Sequence, residues 1–279
     1  MTPLLLLLGL AIGAVLGLTG AGGSIFAVPL LMWGLHWSLP QATPVALLAV
    51  SASALIGTLA AWDVSYIRYR AALLMAGCGW FTAPLGIQLA HSLPVSLLNL
   101  LFAVVLTIVA LRMLRQAIRK PEEANVVRAT VAGDGEPAAG PCCRLDPLTG
   151  RIQWTWRCAV TIASGGGATG FLAGLIGVGG GFVIVPLLRA TTELSMHSAV
   201  ATSLMVIALT SAGTVASAIL MQGIELPWGI ALPFIAGTVA GMLGGRQLAP
   251  RIAGVRLQQL FALLMLIVAV GMAFHALSG

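Results

Sequence analysis

The sequence predicts an all-α polytopic membrane protein built of two homologous halves as an inverted repeat. Each half is expected to hold a glycine-broken re-entrant helical hairpin plus three transmembrane helices. Three observations lead there. Of 279 residues, 59% are hydrophobic and only 8% charged, with a mean hydropathy of +1.02. A soluble domain carries roughly 25% charged residues, so this chain has too little polar surface to keep a folded monomer in water. Next, "GLTGAGGSIFAVPLL" from Gly17 and "GLIGVGGGFVIVPLL" from Gly174 agree at nine of fifteen positions, at an offset of 157. Finally, the segment 112–157 holds eight of the fourteen Lys/Arg and five of the eight Asp/Glu. A clustered basic excess is a topology signal, because Lys/Arg-rich loops stay in the cytoplasm. It is not a nucleic-acid footprint.

The repeat extends past the glycine block. At an offset of 159, the stretch from Gly86 lies over the stretch from Gly245, matching at Gln88/Gln247, Leu101-Phe102-Ala103/Leu260-Phe261-Ala262 and Ile108-Val109-Ala110/Ile267-Val268-Ala269. Ala42-Thr43 pairs with Ala201-Thr202 at the same offset. The expected organisation is a first transmembrane repeat over 1–118, a cytoplasmic and mostly flexible linker over 119–155, and a second repeat over 156–279. The linker, with "GDGEPAAGPCCRLDPLTG", shows neither helical nor strand period.

In the first half the apolar stretches are about 4–35, 41–61, 71–90 and 96–113; in the second they are about 158–188, 198–221, 228–248 and 256–276. A spanning helix needs roughly 20 residues, which suits the last three of each half. The first of each half runs to about 31 residues, with glycines near its middle. An interior glycine costs up to ~1 kcal/mol against alanine in a helix. Such a segment either crosses once as a broken helix, or turns at the glycines as two half-helices of about 14 residues. Charge decides between them. With the linker inside, a single crossing puts the loop from Arg246 to Arg256, with three Arg and no acid, outside. The hairpin puts it inside, and leaves outside only His36, His91, Glu225 and the chain ends. One hairpin plus three helices is an odd number of crossings, so tandem halves lie in opposite orientations. The N-terminal apolar run is expected to be structure rather than a signal peptide. It has no Lys or Arg before it, and its end reappears at Gly174.

Two such hairpins would bring their tips together near the membrane centre. Non-helical backbone at that depth must be buried in protein or line a cavity. The residues after each turn start a half-helix whose unpaired N–H groups and positive dipole end attract an anion. The candidate substrate-binding residues are therefore Gly20, Gly22, Gly23 and Ser24 at one tip, and Gly177, Gly179, Gly180 and Gly181 at the other. Thr43, Thr202 and Ser203, which open the helices after the hairpins, are added as hydroxyl donors. Pro29 and Pro186 are expected as structural hinges, since proline frees a helix carbonyl. Against this stands close packing, the ordinary use of small residues in membranes. For each hydroxyl, Thr58, Thr210 and Thr214 included, the competing role is a bond to its own helix carbonyl.

Asp63, Glu193 and Glu225 all fall at predicted loop ends, so no proton-carrying carboxylate is expected in mid-membrane. Gln88 and Gln247 either line the path or bond between helices. Arg246 is expected to snorkel at a helix end. The four Cys (Cys78, Cys142, Cys143, Cys158) show no metal-ligand spacing, and the linker thiols are expected to be reduced in a cytoplasmic loop. No metal, cofactor or nucleic-acid partner is expected. There is no HExxH, no intramembrane Asp pair and no Ser/His dyad, which speaks against an enzyme.

The doubled "G-x-G-G-[SG]-x-x-x-V-P-L-L" block at Gly20–Leu31 and Gly177–Leu188, the "A-T" after it and the "L-F-A" helices resemble the TauE/SafE family of sulfite exporters. The resemblance covers nearly the whole chain except the linker. It implies a secondary transporter without bound cofactor, moving small sulfur-containing or organic anions such as sulfite, thiosulfate, sulfoacetate or related sulfonates. Ser24 stands opposite Gly181, and Thr43-Pro44 opposite Thr202-Ser203, so the two tips are not chemically equal. The expectation is an alternating-access anion exporter in the cell inner membrane, with both termini periplasmic and coupling to protons or another ion left open. An anion channel or an uptake permease of the same fold, for another small anion, is the alternative.

Overall fold

The computed structural model describes residues 2–19, 23–60, 68–119, 143, 154–192, 196–223, 226–252 and 255–278. These fold into ten helices: α1 (Thr2–Thr19), α2 (Ser24–Leu35), α3 (Leu39–Ala60), α4 (Tyr69–Ser92), α5 (Val95–Arg119), α6 (Trp156–Ile176), α7 (Gly181–Thr191), α8 (Met196–Gln222), α9 (Trp228–Ile252) and α10 (Val255–Ser278). Six of them, α3, α4, α5, α6, α8 and α9, are long and apolar enough to cross a membrane. The protein is an all-α polytopic membrane protein. The ten described helices contain no Asp or Glu, in keeping with the cost of a carboxylate in an apolar bundle.

The long glycine-rich segments break where the sequence places the break, but not into equal arms. α1 has 18 residues and α2 has 12; α6 has 21 and α7 has 11. At 1.5 Å per residue, α6 is ~31 Å long, so its first arm matches the hydrocarbon thickness by itself. The expectation of two 14-residue half-helices is corrected accordingly. The cause is the position of the glycines: Gly177 ends α6 late, with φ +74°, its N–H donating to Ala173 O at 3.0 Å. Gly180, with φ +68°, then starts α7. Both conformations are in the left-handed region that glycine enters without a Cβ penalty.

Glycine stripes bring helix backbones together. Gly9, Gly13 and Gly17 of α1 face Gly237, Gly241 and Gly245 of α9 in ascending order, so these helices run parallel. In the same way Gly166, Gly170 and Gly174 of α6 lie on Met75, Gly79 and Ala83 of α4, also parallel. A methyl on Gly170 would overlap the backbone of Gly79. This is the small-residue packing of membrane helices, and it accounts for glycines that need no special backbone angle.

Hydrogen bonds tie the remaining helices. Ser51 donates to Ala208 O at 2.9 Å, joining α3 to α8, which run antiparallel. Trp80 Nε1 donates to Leu209 O at 2.7 Å, and the Arg68 N–H donates to Thr202 Oγ1 at 3.2 Å, so α4 and α8 run parallel. Arg246 Nη1 donates to Gly57 O at 3.0 Å, joining the C-terminal ends of α9 and α3. Arg246 is thus an interhelical strut as well as a charge at a helix end, which corrects the snorkelling assignment. α5 pairs with α10. One end of the bundle therefore gathers Arg68, Arg157 and Arg246. The opposite end gathers the start of α3, the end of α4 and the end of α8, where Leu39, His91 and Ala218 share one cavity wall.

α7 folds back along α6: Gly180 lies against Thr169 and Gly165 against Leu187. The base of this pair is closed by a disulfide between Cys143 and Cys158, while the Cys143 N–H donates to Thr191 O at 2.9 Å. The expectation of reduced linker thiols is overturned for Cys143. Cys143 is bonded to Cys158, and both are fully buried. Cys142 and most of the linker lie outside the described residues. The helix predicted over 96–113 extends to Arg119. α2 likewise folds back on α1, with Gly23 against Leu16 and Gly34 beside Leu8.

Candidate functional site

The segment Gly177–Gly181 reaches two long helices, with Gly177 at Thr43 near the start of α3 and Gly179 farther in. Gly179 rests on Val50 near the centre of α3, and on Ile207 and Ser211 near the centre of α8. A Cβ on Gly179 would stand 2.7 Å from Ser211 Oγ, 3.5 Å from Ile207 Cγ2 and 3.6 Å from Val50 Cγ1. A side chain on residue 179 would have to displace Ser211 Oγ for the tip to sit this deep in the crossing. α7 begins at once, and the N–H groups of Val183 and Ile184 reach back to Gly180 O at 2.9 and 3.3 Å. The first N–H groups of an α-helix have no intrahelical acceptor, and in α7 they lie next to this crossing.

The predicted residues divide. Gly177, Gly179 and Gly180 form the tip and Gly181 opens α7, with the Thr43 side chain lying against Gly177. The Thr43 hydroxyl, however, is bonded to Leu39 O at 2.8 Å. Thr202 and Ser203 are near the arginine-rich end, nine and eight residues before Ser211, or ~12–14 Å along the helix. There Thr202 accepts from Arg68 and Ser203 donates to Val200 O at 2.8 Å. Thr58, Thr210 and Thr214 also bond within their own helices. At the first tip, Gly20 and Gly22 lie outside the described residues. Gly23 caps α2 and Ser24 is its buried first residue. Pro29 and Pro186 are each the sixth residue of their short helices, α2 and α7. Gln88 and Gln247 are on exposed faces, which removes them from an internal path.

Sequence reasoning missed Ser211 and Ser53. Both are fully buried, and among the described residues their hydroxyls have no hydrogen-bond partner. A back-bond to the preceding turn is the usual fate of a serine in a membrane helix, and neither serine takes it. The signal that could have singled out Ser211 is its place: it sits mid-helix on α8, opposite the glycine tip.

A cavity of about 550 Å³, open space included, leads toward this point from the end without arginines. Its walls are apolar except for Thr43, His91 and Thr214, and Leu47 and Thr214 stand deepest in it. They lie one helical turn before Val50 and after Ser211 respectively. Among the described residues no group of three or more His, Cys, Asp or Glu could hold a metal ion.

A helix interrupted inside a bundle of long apolar helices, below a cavity, is a feature of multi-pass membrane transporters. The chain belongs to the sulfite exporter TauE/SafE family, whose model matches residues 5–272. It is 30% identical over 263 residues to a "Probable membrane transporter protein" of Xylella fastidiosa strain Temecula1, covering 93% of this chain and 90% of that one. The counterpart in strain 9a5c matches equally well, at 30% over 263 residues. "Probable membrane transporter protein YunE" of Bacillus subtilis strain 168 is 26% identical over 253 residues, covering 86% of each chain. No solved structure matches. The assignment is to a family of transporters, not of enzymes.

Proposed function

We propose that this chain is a secondary transporter that moves a small sulfur-containing or organic anion, of the sulfite or organosulfonate class, out across the cytoplasmic membrane by alternating access. The observation that carries the proposal is the Gly177–Gly181 break, whose Gly179 is seated at mid-length of α3 and α8 with the α7 N-terminus beside it. A helix N-terminus in a low-dielectric surrounding favours an anion, and the absence of carboxylates from the helices leaves that preference unopposed.

We read the halves 1–118 and 156–279 as inverted repeats. What supports this is the exchange of partners: α1 packs on α9 and α4 on α6, while α3 meets α8 and α5 meets α10. Counterparts α1 and α6, α3 and α8, and α4 and α9 run in opposite senses, as an axis in the membrane plane requires. We read α1–α2 and α6–α7 as re-entrant hairpins. The return of Thr191 to the disulfide at the start of α6 supports this for the second. All fourteen Lys and Arg fall in segments 68–70, 112–157, 189 and 246–256. With both hairpins, every one of these faces one side, the cytoplasm by the positive-inside rule, and both termini face the periplasm. A disulfide on a cytoplasmic face is uncommon; here the buried sulfurs are out of reach of exchange, which needs access.

On this reading the glycines of both tips, Gly20, Gly22, Gly23, Gly177, Gly179, Gly180 and Gly181, bring backbone to the anion, with Ser24 at the first tip. Thr43 supports the second tip, and Thr202 and Ser203 stand on the cytoplasmic approach. Pro29 and Pro186 loosen the short arms by removing an N–H from each. The export direction rests on the family description alone. The test is flux in proteoliposomes across sulfite, sulfate, thiosulfate, sulfoacetate and taurine, with and without a proton gradient. Saturable flux of one oxyanion supports the proposal. A steady uncoupled ion current, or no flux of any of them, refutes it.

A further inference from the structure

We infer that Ser211 is the side chain that holds the transported anion, in a single seat at the second tip, together with the N–H groups that open α7 ahead of Val183. The inference rests on the transporter reading above and deepens it. Ser211 is 0% exposed and its Oγ has no partner. A hydroxyl left so in the membrane interior costs free energy unless something accepts its proton. The Oγ points at the backbone of Gly179, since a Cβ there would meet it at 2.7 Å. The hydroxyl thus stands at the tip two residues before α7 begins, and hydroxyl and helix N-terminus are both donors. Such a pair favours a ligand that is negative and accepts hydrogen bonds, as a sulfite, thiosulfate or sulfonate group does.

The first repeat does not reproduce it. At the offset of 159 the counterpart of Ser211 is Ala52, so the seat is one and asymmetric. The cavity stops one turn short, at Leu47 and Thr214. Ser211, Val50 and Ile207 are all buried, so this conformation has the seat closed and the approach from the arginine-free end open.

The experiment measures binding of sulfite and thiosulfate to the purified full-length protein by calorimetry. Variants are Ser211→Ala, the size-conserving Ser211→Cys and, as control, Ser53→Ala, which removes the other unpartnered buried hydroxyl. Loss of a hydrogen bond to a charged ligand predicts that both Ser211 variants bind the oxyanion ~10-fold or more weakly. Ser53→Ala should match the wild type. Ser211→Cys keeps the packing, so its behaviour separates a lost ligand from a damaged fold. Wild-type affinity in folded Ser211→Cys, or a loss in Ser53→Ala alone, would place the seat elsewhere and overturn the inference while transport stands. A wild-type protein that binds neither oxyanion would remove the transporter reading and the seat with it.

Discussion

Glycines in this protein do two jobs, and one substitution type separates them. Gly179→Ala adds a methyl at the tip. Gly179 is not among the positive-φ residues, Gly177, Gly180 and Gly223, so an alanine can adopt its backbone. Of the three atoms near the new methyl, only Ser211 Oγ, at 2.7 Å, is too close. It is the end of a side chain and can turn about χ1. The folding cost is then about 0.5–1.5 kcal/mol, that of a displaced rotamer. The functional cost is larger. A displaced hydroxyl forfeits a hydrogen bond to a charged ligand, about 1.5–3 kcal/mol, or roughly 10- to 150-fold in affinity. Gly170→Ala is the contrast. Its methyl would overlap the carbonyl oxygen, the Cα and the carbonyl carbon of Gly79, and backbone cannot rotate away. α4 and α6 must separate, at a cost of about 1–3 kcal/mol of stability. The assay pairs thermal unfolding in detergent with oxyanion flux in proteoliposomes. Gly179→Ala should keep nearly all its stability and lose at least ~10-fold in flux at sub-saturating anion; Gly170→Ala should lose stability first. Normal flux in Gly179→Ala, or equal loss of stability in both, would refute this division of roles.

Gly180→Ala should destabilise the α6–α7 pair, because φ +68° costs a non-glycine residue about 1–2 kcal/mol; thermal unfolding measures it. Alkylation without reductant should label neither Cys143 nor Cys158, even after denaturation, and adding reductant should expose both. Cys158→Ser should cost about 3 kcal/mol by the chain-entropy account for a 15-residue loop, read as a lower unfolding temperature. Arg246→Ala should cost about 1 kcal/mol by freeing Gly57 O, less than a fully buried charged bond because Arg246 is only half-buried.

Much of this architecture is legible in residue order, because membrane helices advertise themselves by length. The breaks after Thr19 and Ile176 follow from runs of glycine too long for one helix, and the doubled block marks them twice. The unequal arms were not legible: composition does not say that Gly177, rather than an earlier glycine, turns left-handed and ends α6. Nor did the glycine spacing reveal its second use. Gly166, Gly170 and Gly174 form a stripe only once Gly79 and Ala83 are seen opposite. Hydroxyls were the least readable part. Thr43, Thr202 and Ser203 were favoured for their position after the breaks. In the structure Thr43 and Ser203 donate to nearby carbonyls and Thr202 accepts from Arg68, while Ser211 stands unpaired. Which hydroxyl stays unpaired depends on the neighbouring helix, which no local pattern encodes. The Cys143–Cys158 bridge was hidden likewise, since no local pattern says which cysteine Cys158 meets.

The claim beneath all of this is that α6 and α7 enter and leave the membrane on the same side. Single cysteines placed by Gly150→Cys in the linker and Ser195→Cys after α7, in chains lacking the native thiols, test it with a membrane-impermeant maleimide on intact cells. Both sites should stay unlabelled until the cells are permeabilised, while Gly279→Cys at the C-terminus labels at once. Labelling of the site at 195 in intact cells while the site at 150 stays protected would mean that the chain crosses between them, and would contradict the account.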